Sequence, residues 1–295
     1  MFTAPFQLTK STHRDVYGAV DPNNPSLRAT GKIVLITGAG GGLGYNIASA
    51  WSTAGAKGIV LVGRNIEKLQ ETAKALKAPS LVVSGDVTSE SSVEFIFGKA
   101  IAMFGKLDVL VNAAGTMNQG TITGEVQPAQ WWADFESNVK GTYNMIHYFI
   151  KATGGKGTVI NVVSLGASFL APGLSSYASS KLAAIKLGEF LDLEHPNLRV
   201  FSIHPGIVEA EAGRGMVVPH FTPFAKDKGL LTGGVTLYLQ KPEADHLRGG
   251  FFSVNWDVGE LEEHKSEIVD KKLLKLSFIN ATLGASGYDW SGGEQ

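Results

Sequence analysis

The sequence predicts a doubly wound α/β fold built on a parallel sheet. Short Val/Ile/Leu-rich runs of strand length recur along the chain, alternating with segments whose apolar residues have helical spacing. The strand runs are nearly continuous rather than alternating in polarity, as expected of strands buried on both faces by covering helices. A Gly-rich string follows the first run directly, where such a sheet places its ligand at the carboxyl ends of the strands.

Taken in order, residues 1–30 read as an arm, because Pro5, Pro22 and Pro25 with Asn23-Asn24 break any regular element. The expected strands are 33–36, 59–62, 81–83, 109–111, 158–163, 200–203 and 251–254. Helices are expected through 46–51, and over 65–77, 89–104, 128–151 and 175–193. Residues 207–234, with Pro219, Pro223 and several glycines, are the least regular part of the core. One continuous sheet implies a single domain over 31–257 and a tail over 258–295. In that tail Leu273-Leu274-Lys275-Leu276 and Phe278 suggest an amphipathic helix. It would cover the sheet edge, cover the pocket, or extend a subunit interface.

Composition narrows the chemistry. The 295 residues carry 26 Lys+Arg against 27 Asp+Glu and are 44% hydrophobic, enough for one large core and too apolar for disorder. A net charge of −1 without a basic block argues against nucleic acid or a membrane surface as partner. The absence of cysteine excludes disulfides, zinc ribbons and thiol catalysis. The seven histidines show no metal-ligand spacing, so no metal is expected. The arm lacks the apolar core of a secretion signal, and no apolar stretch reaches the 18 or so residues of a membrane span, so a soluble, cytoplasmic protein is expected.

Thr37-Gly38-Ala39-Gly40-Gly41-Gly42-Leu43-Gly44 joins the first strand to a helix. Strand, tight turn and helix N-terminus are what a pyrophosphate requires: free N–H groups, a favourable dipole, and backbone without side chains in the way. This makes the fold a Rossmann-type dinucleotide-binding fold. The Thr-Gly-x-x-x-Gly-x-Gly spacing resembles the short-chain dehydrogenase/reductase family, and the resemblance covers about 31–257. Three further segments match in order. Asp86-Val87 stands where the family holds adenine. Asn112-Ala113-Ala114-Gly115 is similar to its Asn-Asn-Ala-Gly motif beside the cofactor. Pro205-Gly206-Ile207-Val208 matches the segment that passes the nicotinamide.

The tip of the second strand, Gly63-Arg64, bears on which nicotinamide binds. An acid there would bond the ribose 2′-hydroxyl of NAD, whereas a guanidinium grips a 2′-phosphate. Gly63 takes the acidic position and Arg64 follows, so NADP(H) is expected over NAD. The second basic residue that NADP-preferring relatives often carry in the glycine turn is replaced by Gly41.

Tyr177 and Lys181 are an i, i+4 pair on one face of the predicted helix 175–193. A phenol ionises near pH 10, and an adjacent ammonium is expected to bring that value toward neutrality. Ser164, ending the fifth strand, offers a hydroxyl to a substrate oxygen. With Asn138 the set resembles the family's Asn-Ser-Tyr-Lys tetrad. The resemblance implies that Tyr177 exchanges the proton, Ser164 orients the substrate, Lys181 tunes Tyr177 and binds the nicotinamide ribose, and Asn138 holds a water relay. One position departs: Ala210 replaces the Thr or Ser that would bond the carboxamide.

The resemblance implies that 207–234 folds over the substrate. Met216, Val217, Phe221 and Phe224 are then pocket walls for a small hydrophobic carbonyl or secondary alcohol, or plain lid packing. It also implies a homodimer or homotetramer through 128–151 and 175–193. The tail, with Asn255-Trp256-Asp257, looks like that of fungal relatives. Trp131-Trp132 reads as packing, and His204 as a satisfied strand-end histidine. The leading expectation is an NADP(H)-dependent oxidoreductase. The alternatives are an NADP-binding sensor or scaffold without turnover, or a lyase or isomerase with no net cofactor consumption.

Overall fold

A computed structural model describes residues 6–118, 122–208 and 221–277. Seven parallel strands form one sheet: β1 (Ile33–Thr37), β2 (Gly58–Gly63), β3 (Ser80–Ser84), β4 (Val109–Asn112), β5 (Gly157–Val162), β6 (Leu198–His204) and β7 (Phe251–Ser253). Their order is β3-β2-β1-β4-β5-β6-β7. The chain winds outward from β1 to β3, then crosses to β4 on the other side of β1. That reversal leaves a crevice between the carboxyl ends of β1 and β4, the usual ligand position in such sheets.

The helices are α1 (Gly42–Thr53), α2 (Ile66–Ala75), α3 (Glu90–Phe104), α4 (Pro128–Phe135), α5 (Gly141–Thr153), α6 (Ser175–Glu194), α7 (Gly229–Tyr238), α8 (Val258–Glu263) and α9 (Lys265–Asp270). The expected helix starts at 65 and 89 are the capping residues Asn65 and Ser89, whose side chains accept from Lys68 N–H and Ser92 N–H. All five side chains of β1 are buried, and they alternate between two cores. Val34 and Ile36 face α1 and α7 with Ile47, Trp51, Leu231 and Val235. Ile33 and Leu35 face α3 and α5 with Val93, Ile96, Met145 and Phe149. The seven expected strand runs are all strands, their ends shifted by one or two residues.

Three expectations are corrected. The single helix expected over 128–151 is interrupted by one π turn, Glu136–Lys140, between α4 and α5. Asn138 lies within that turn and faces inward, where its amide makes three hydrogen bonds, two to Thr116 and one to Ser180. The irregular segment expected over 207–234 ends early, because 229–234 already belongs to α7. Its glycines are packing devices: a Cβ at Gly234 would strike Val20 O, and one at Gly233 would lie 2.6 Å from Ala50 Cβ. They let α7 press against α1 and the arm, and the buried Trp51 Nε1–H donates to Thr236 Oγ1 across that contact (3.0 Å). Finally, Leu273–Leu276 forms turns rather than a helix. Lys272 enters the left-handed region (φ 54°) and ends the helical path.

The tail nevertheless covers the sheet edge. Leu274 is buried and its carbonyl accepts from Phe251 N–H (2.8 Å), occupying the open side of β7. Phe278 and the rest of the tail lie outside the described residues. The arm runs along the opposite side of the same region. Thr12 pairs with Trp256, His13 Nε2 meets Asp257 Oδ2 at 2.7 Å, and the Tyr17 hydroxyl accepts from Val258 N–H. Burial pushes the Tyr17 phenol up to about 12. No helix among the described residues is long and apolar enough to cross a membrane.

Candidate active site

The crevice is a cleft of about 780 Å³. One wall is the turn between β1 and α1. Gly38 is left-handed (φ 69°), and a Cβ there would lie 2.9 Å from Ala113 O. A Cβ at Gly44 would drive into Gly38 O. The turn therefore closes only with hydrogen at both positions. Gly38, Gly40, Gly41, Gly42, Leu43 and Gly44 line the cleft, facing Ala113, Ala114 and Gly115. Thr37 and Asn112 stand behind the wall instead. The Thr37 hydroxyl oxygen accepts from Ala113 and Ala114 N–H (3.1 and 3.0 Å), locking the end of β4 to that of β1. Asn112 Nδ2 donates to Asn161 Oδ1 in the centre of the sheet (2.9 Å).

The far end of the cleft holds Gly63, Arg64, Asn65 and Lys68, with Asp86, Val87 and Thr88 alongside. Asp86 accepts from the Thr88 N–H and hydroxyl, both at 2.9 Å. The Thr88 backbone bond, with help from Arg64, holds its carboxyl below the usual carboxylate range. Arg64 and Lys68 are exposed, and no side-chain hydrogen bond or ion pair engages either cation among the described residues. Lys68 comes from the first turn of α2, close enough that a Cβ on Gly40 would touch its Cβ at 3.1 Å. Lys68 thus places a second cation beside the glycine turn, four residues after Arg64.

Gly115 connects the cleft to the tetrad. A Cβ there would fall 2.8 Å from Asn138 Oδ1 and 3.2 Å from Lys181 Nζ. Asn138, 1% exposed, accepts from Thr116 N–H at Oδ1 (3.0 Å). Its Nδ2 donates to Thr116 O and Ser180 Oγ, both at 2.9 Å. Lys181 Nζ donates to Val162 O (3.0 Å) and sits 5.8 Å from the centre of the Tyr177 ring. A Cβ on Gly166 would lie 3.2 Å from Ser164 Oγ and 3.7 Å from Tyr177 Cε1, so the Ser164 hydroxyl stands beside the Tyr177 ring. All four residues are thus brought together beside the cleft.

Their electrostatics depart from expectation. Tyr177 keeps part of its surface exposed, yet the protein around it desolvates the phenol and lifts its pKa above the ordinary value. Ser164 opposes that rise and Asp134 adds to it. The ammonium of Lys181 points to the Val162 carbonyl, and burial pushes Lys181 itself down to about 8. In this state Tyr177 holds its proton.

Pro205-Gly206-Ile207-Val208 leaves β6 beside the tetrad and is fixed from behind. Asp227, 3% exposed, accepts from Ile207 N–H (2.6 Å), and Val208 pairs with Asp227. Arg14 of the arm lies 3.5 Å from the same carboxylate. Ala210, Met216 and Val217 lie outside the described residues, whereas Phe221 precedes and Phe224 ends the short turn Thr222–Phe224. His204 is buried and neutral, pushed down to about 4 by desolvation. Its Nδ1 accepts from Leu165 N–H (3.2 Å), steadying the turn after Ser164, while Nε2 has no partner among the described residues. Trp131 stacks on Phe135 and its Nε1–H donates to Ser175 Oγ (3.0 Å) at the start of α6, whereas Trp132 is 56% exposed.

A family model described as short chain dehydrogenase matches residues 32–217. The chain belongs to that family. Short chain dehydrogenase mpl6 of Monascus purpureus is 33% identical over 94% of this chain and 98% of its own length. Short chain dehydrogenase andI of Emericella variicolor is 30% identical, over 92% and 96%. Among solved structures, a 3-ketoacyl-(acyl-carrier-protein) reductase from Brucella melitensis, complexed with NADH, superimposes with TM-score 0.70 at 27% identity. The likeness covers 76% of this chain and 97% of that one. A 7α-hydroxysteroid dehydrogenase with NADH and 7-oxo glycochenodeoxycholic acid gives 0.71 at 27%, over 79% and 96%. The short chain dehydrogenase described here is therefore an oxidoreductase acting on CH–OH or C=O groups with a nicotinamide cofactor, and its cleft fits a dinucleotide. The fungal kinship expected from the tail agrees with these relatives.

Proposed function

We propose that this short chain dehydrogenase is an NADP(H)-dependent reductase of a small, apolar carbonyl compound, with Tyr177 as the proton donor. The observation that carries the reading is the placement of the Ser164 hydroxyl beside Tyr177, next to Lys181 and Asn138, joined to the dinucleotide cleft through Gly115. The bound nicotinamide supplies or receives the hydride. The chain does the rest. Gly38–Gly44 and the N-terminus of α1 hold the pyrophosphate, and Asp86-Val87 lie beside the adenine. Arg64 and Lys68 take the 2′-phosphate, and Pro205–Val208 border the nicotinamide. Ser164 donates to the substrate oxygen, and Tyr177 delivers a proton as that oxygen becomes an alkoxide.

The reductive reading is supported by the protonation state of Tyr177. A phenol raised above its ordinary value is a proton donor throughout the physiological range, whereas the oxidative direction needs a phenolate that burial opposes. The apolar substrate is suggested by Phe221 and Phe224 in the turn that precedes α7. A cytoplasmic location and a homodimer or homotetramer through α4–α6 complete the proposal.

Titration of the purified protein with NADPH and NADH, followed by cofactor fluorescence, tests the cofactor assignment. NADPH should bind at least about tenfold tighter, or about 1.4 kcal/mol. Equal or tighter NADH overturns it.

The pH profile is a second test. Lys181 must be cationic to hold a ribose hydroxyl and favour the developing tyrosinate, and its ammonium loses its proton near 8. A lowered pKa keeps the charged form only below that value. The kcat/KM for reduction should therefore stay level through neutral pH and fall above about pH 8. A profile that instead rises there contradicts the assignment.

A further inference from the structure

Asp134 stands outside the tetrad, and no part of the mechanism above uses it. It is 0% exposed, near the end of α4, and every hydrogen-bond partner is a donor. Thr116 Oγ1–H (2.9 Å), Asn118 N–H (3.1 Å) and Asn118 Nδ2–H (3.0 Å) reach Oδ1. Ser176 Oγ–H (2.7 Å) and Asn118 N–H (3.2 Å) reach Oδ2. A carboxylate taken this far from water persists only with such a complete set of donors.

The geometry has a regularity that points to function. Ser176 immediately precedes Tyr177, and Ser180 immediately precedes Lys181. Asp134 holds the first serine, and Asn138, one turn later on the α4–π segment, holds the second. The same two side chains grip Thr116, next to the cleft-lining Gly115. Asp134 and Asn138 are four residues apart and share one face of this segment, so both reach α6 at once. We propose that Asp134 is a positioning residue: it fixes the start of the helix that bears Tyr177 and Lys181 against the cleft wall, and it serves as buried counter-charge to the Lys181 ammonium. This rests on the catalytic reading of Tyr177 and Lys181.

The counter-charge is specific to Asp134. Of the other ionisable groups on elements packed against this part of α6, Glu136 and Lys140 pair with each other at 2.9 Å in half-exposed positions. His204 of β6 is neutral, and Arg199 of β6 is bound to Asp245. Neither β5 nor the turn Leu165–Ala167 carries an ionisable side chain. The negative charge of Asp134 raises the pKa of both Tyr177 and Lys181. Removing it makes the first proton of the pair leave at lower pH.

Asp134→Asn is the direct test. Its oxygen can keep the three donors at Oδ1, its amide can donate to Ser176 Oγ, and the Trp131–Ser175 bond still anchors the helix start. In the reductase assay with NADPH, the alkaline limb of kcat/KM should move down from about pH 8 by roughly one unit, the low end of what one neighbouring charge does. Ser176→Ala keeps the charge and removes only the bond, so its limb should stay in place while kcat falls. Should Asp134→Asn fail to give a cooperative melt, Asp134→Ser is the second neutral variant for the same profile. A limb unmoved in the folded neutral variant, with Tyr177→Phe inactive in the same assay, overturns the role of Asp134 and leaves the catalytic reading standing. Turnover retained by Tyr177→Phe overturns that reading first.

Discussion

Tyr177→Phe should abolish turnover while cofactor binding survives. The substitution removes one oxygen and leaves the ring that packs at the start of α6, so the backbone path of the cleft walls at Gly38–Gly44 and Ala113–Gly115 is untouched. What disappears is the hydroxyl beside Ser164 that can give a proton to a substrate oxygen. General acid catalysis is worth about 10²–10⁴-fold, and here the alkoxide would also lose a hydrogen-bond donor. A fall of at least about 10³-fold in kcat is expected. The NADPH dissociation constant should change by less than about threefold, under about 0.7 kcal/mol. Rates are read from NADPH consumption with a panel of ketones and aldehydes, and binding from cofactor fluorescence. Unchanged turnover would remove Tyr177 from the chemistry. Loss of binding as well would mean that the phenol supports the cleft rather than the reaction.

The strands and the glycine turn were legible because each is a local property. A run such as Ile33–Ile36 announces burial on two faces, and Gly38 and Gly44 announce a turn that no side chain fits. The tetrad was legible by spacing and resemblance, and the structure brings Asn138, Ser164, Tyr177 and Lys181 together. What stayed hidden depends on partners distant in sequence. Gly233 and Gly234 read as loop because nothing near them in sequence shows that Asn46, Ala50 and Val20 press against that face. The π turn at Asn138 is set by Thr116 and Ser180, from two other elements. Asp134 looks like any helical aspartate until α6 and the loop after β4 close over it. The direction of the Tyr177 shift was hidden for a related reason. The i, i+4 spacing places Lys181 nearby, but spacing cannot show that its ammonium turns to Val162 O and that burial dominates.

Lys68 is the hidden residue with the most to say about the cofactor, and it shapes the second large effect. Arg64→Asp should weaken NADPH by about 100-fold or more and NADH by less than about threefold. A charge-assisted bond to phosphate contributes about 1.5–3 kcal/mol, or about 10–100-fold, and the reversed charge adds repulsion. NADH has a 2′-hydroxyl there, which a carboxylate can accept from. Room exists for such an acid at the strand tip: a Cβ on Gly63 would meet Leu69 at an ordinary 3.4 Å. Lys68→Ala should act in the same sense but more weakly, about three- to tenfold, because an exposed ammonium on a flexible stem grips less than a planar guanidinium. Both cations are exposed, so the NADPH preference should shrink as salt is raised from about 0.05 to 0.5 M. Parallel titrations of the two variants with both cofactors decide the matter. Equal losses for NADPH and NADH would mean that Arg64 and Lys68 act on the adenosine moiety common to both. Selective loss of NADPH in both variants would place the 2′-phosphate between the tip of β2 and the first turn of α2.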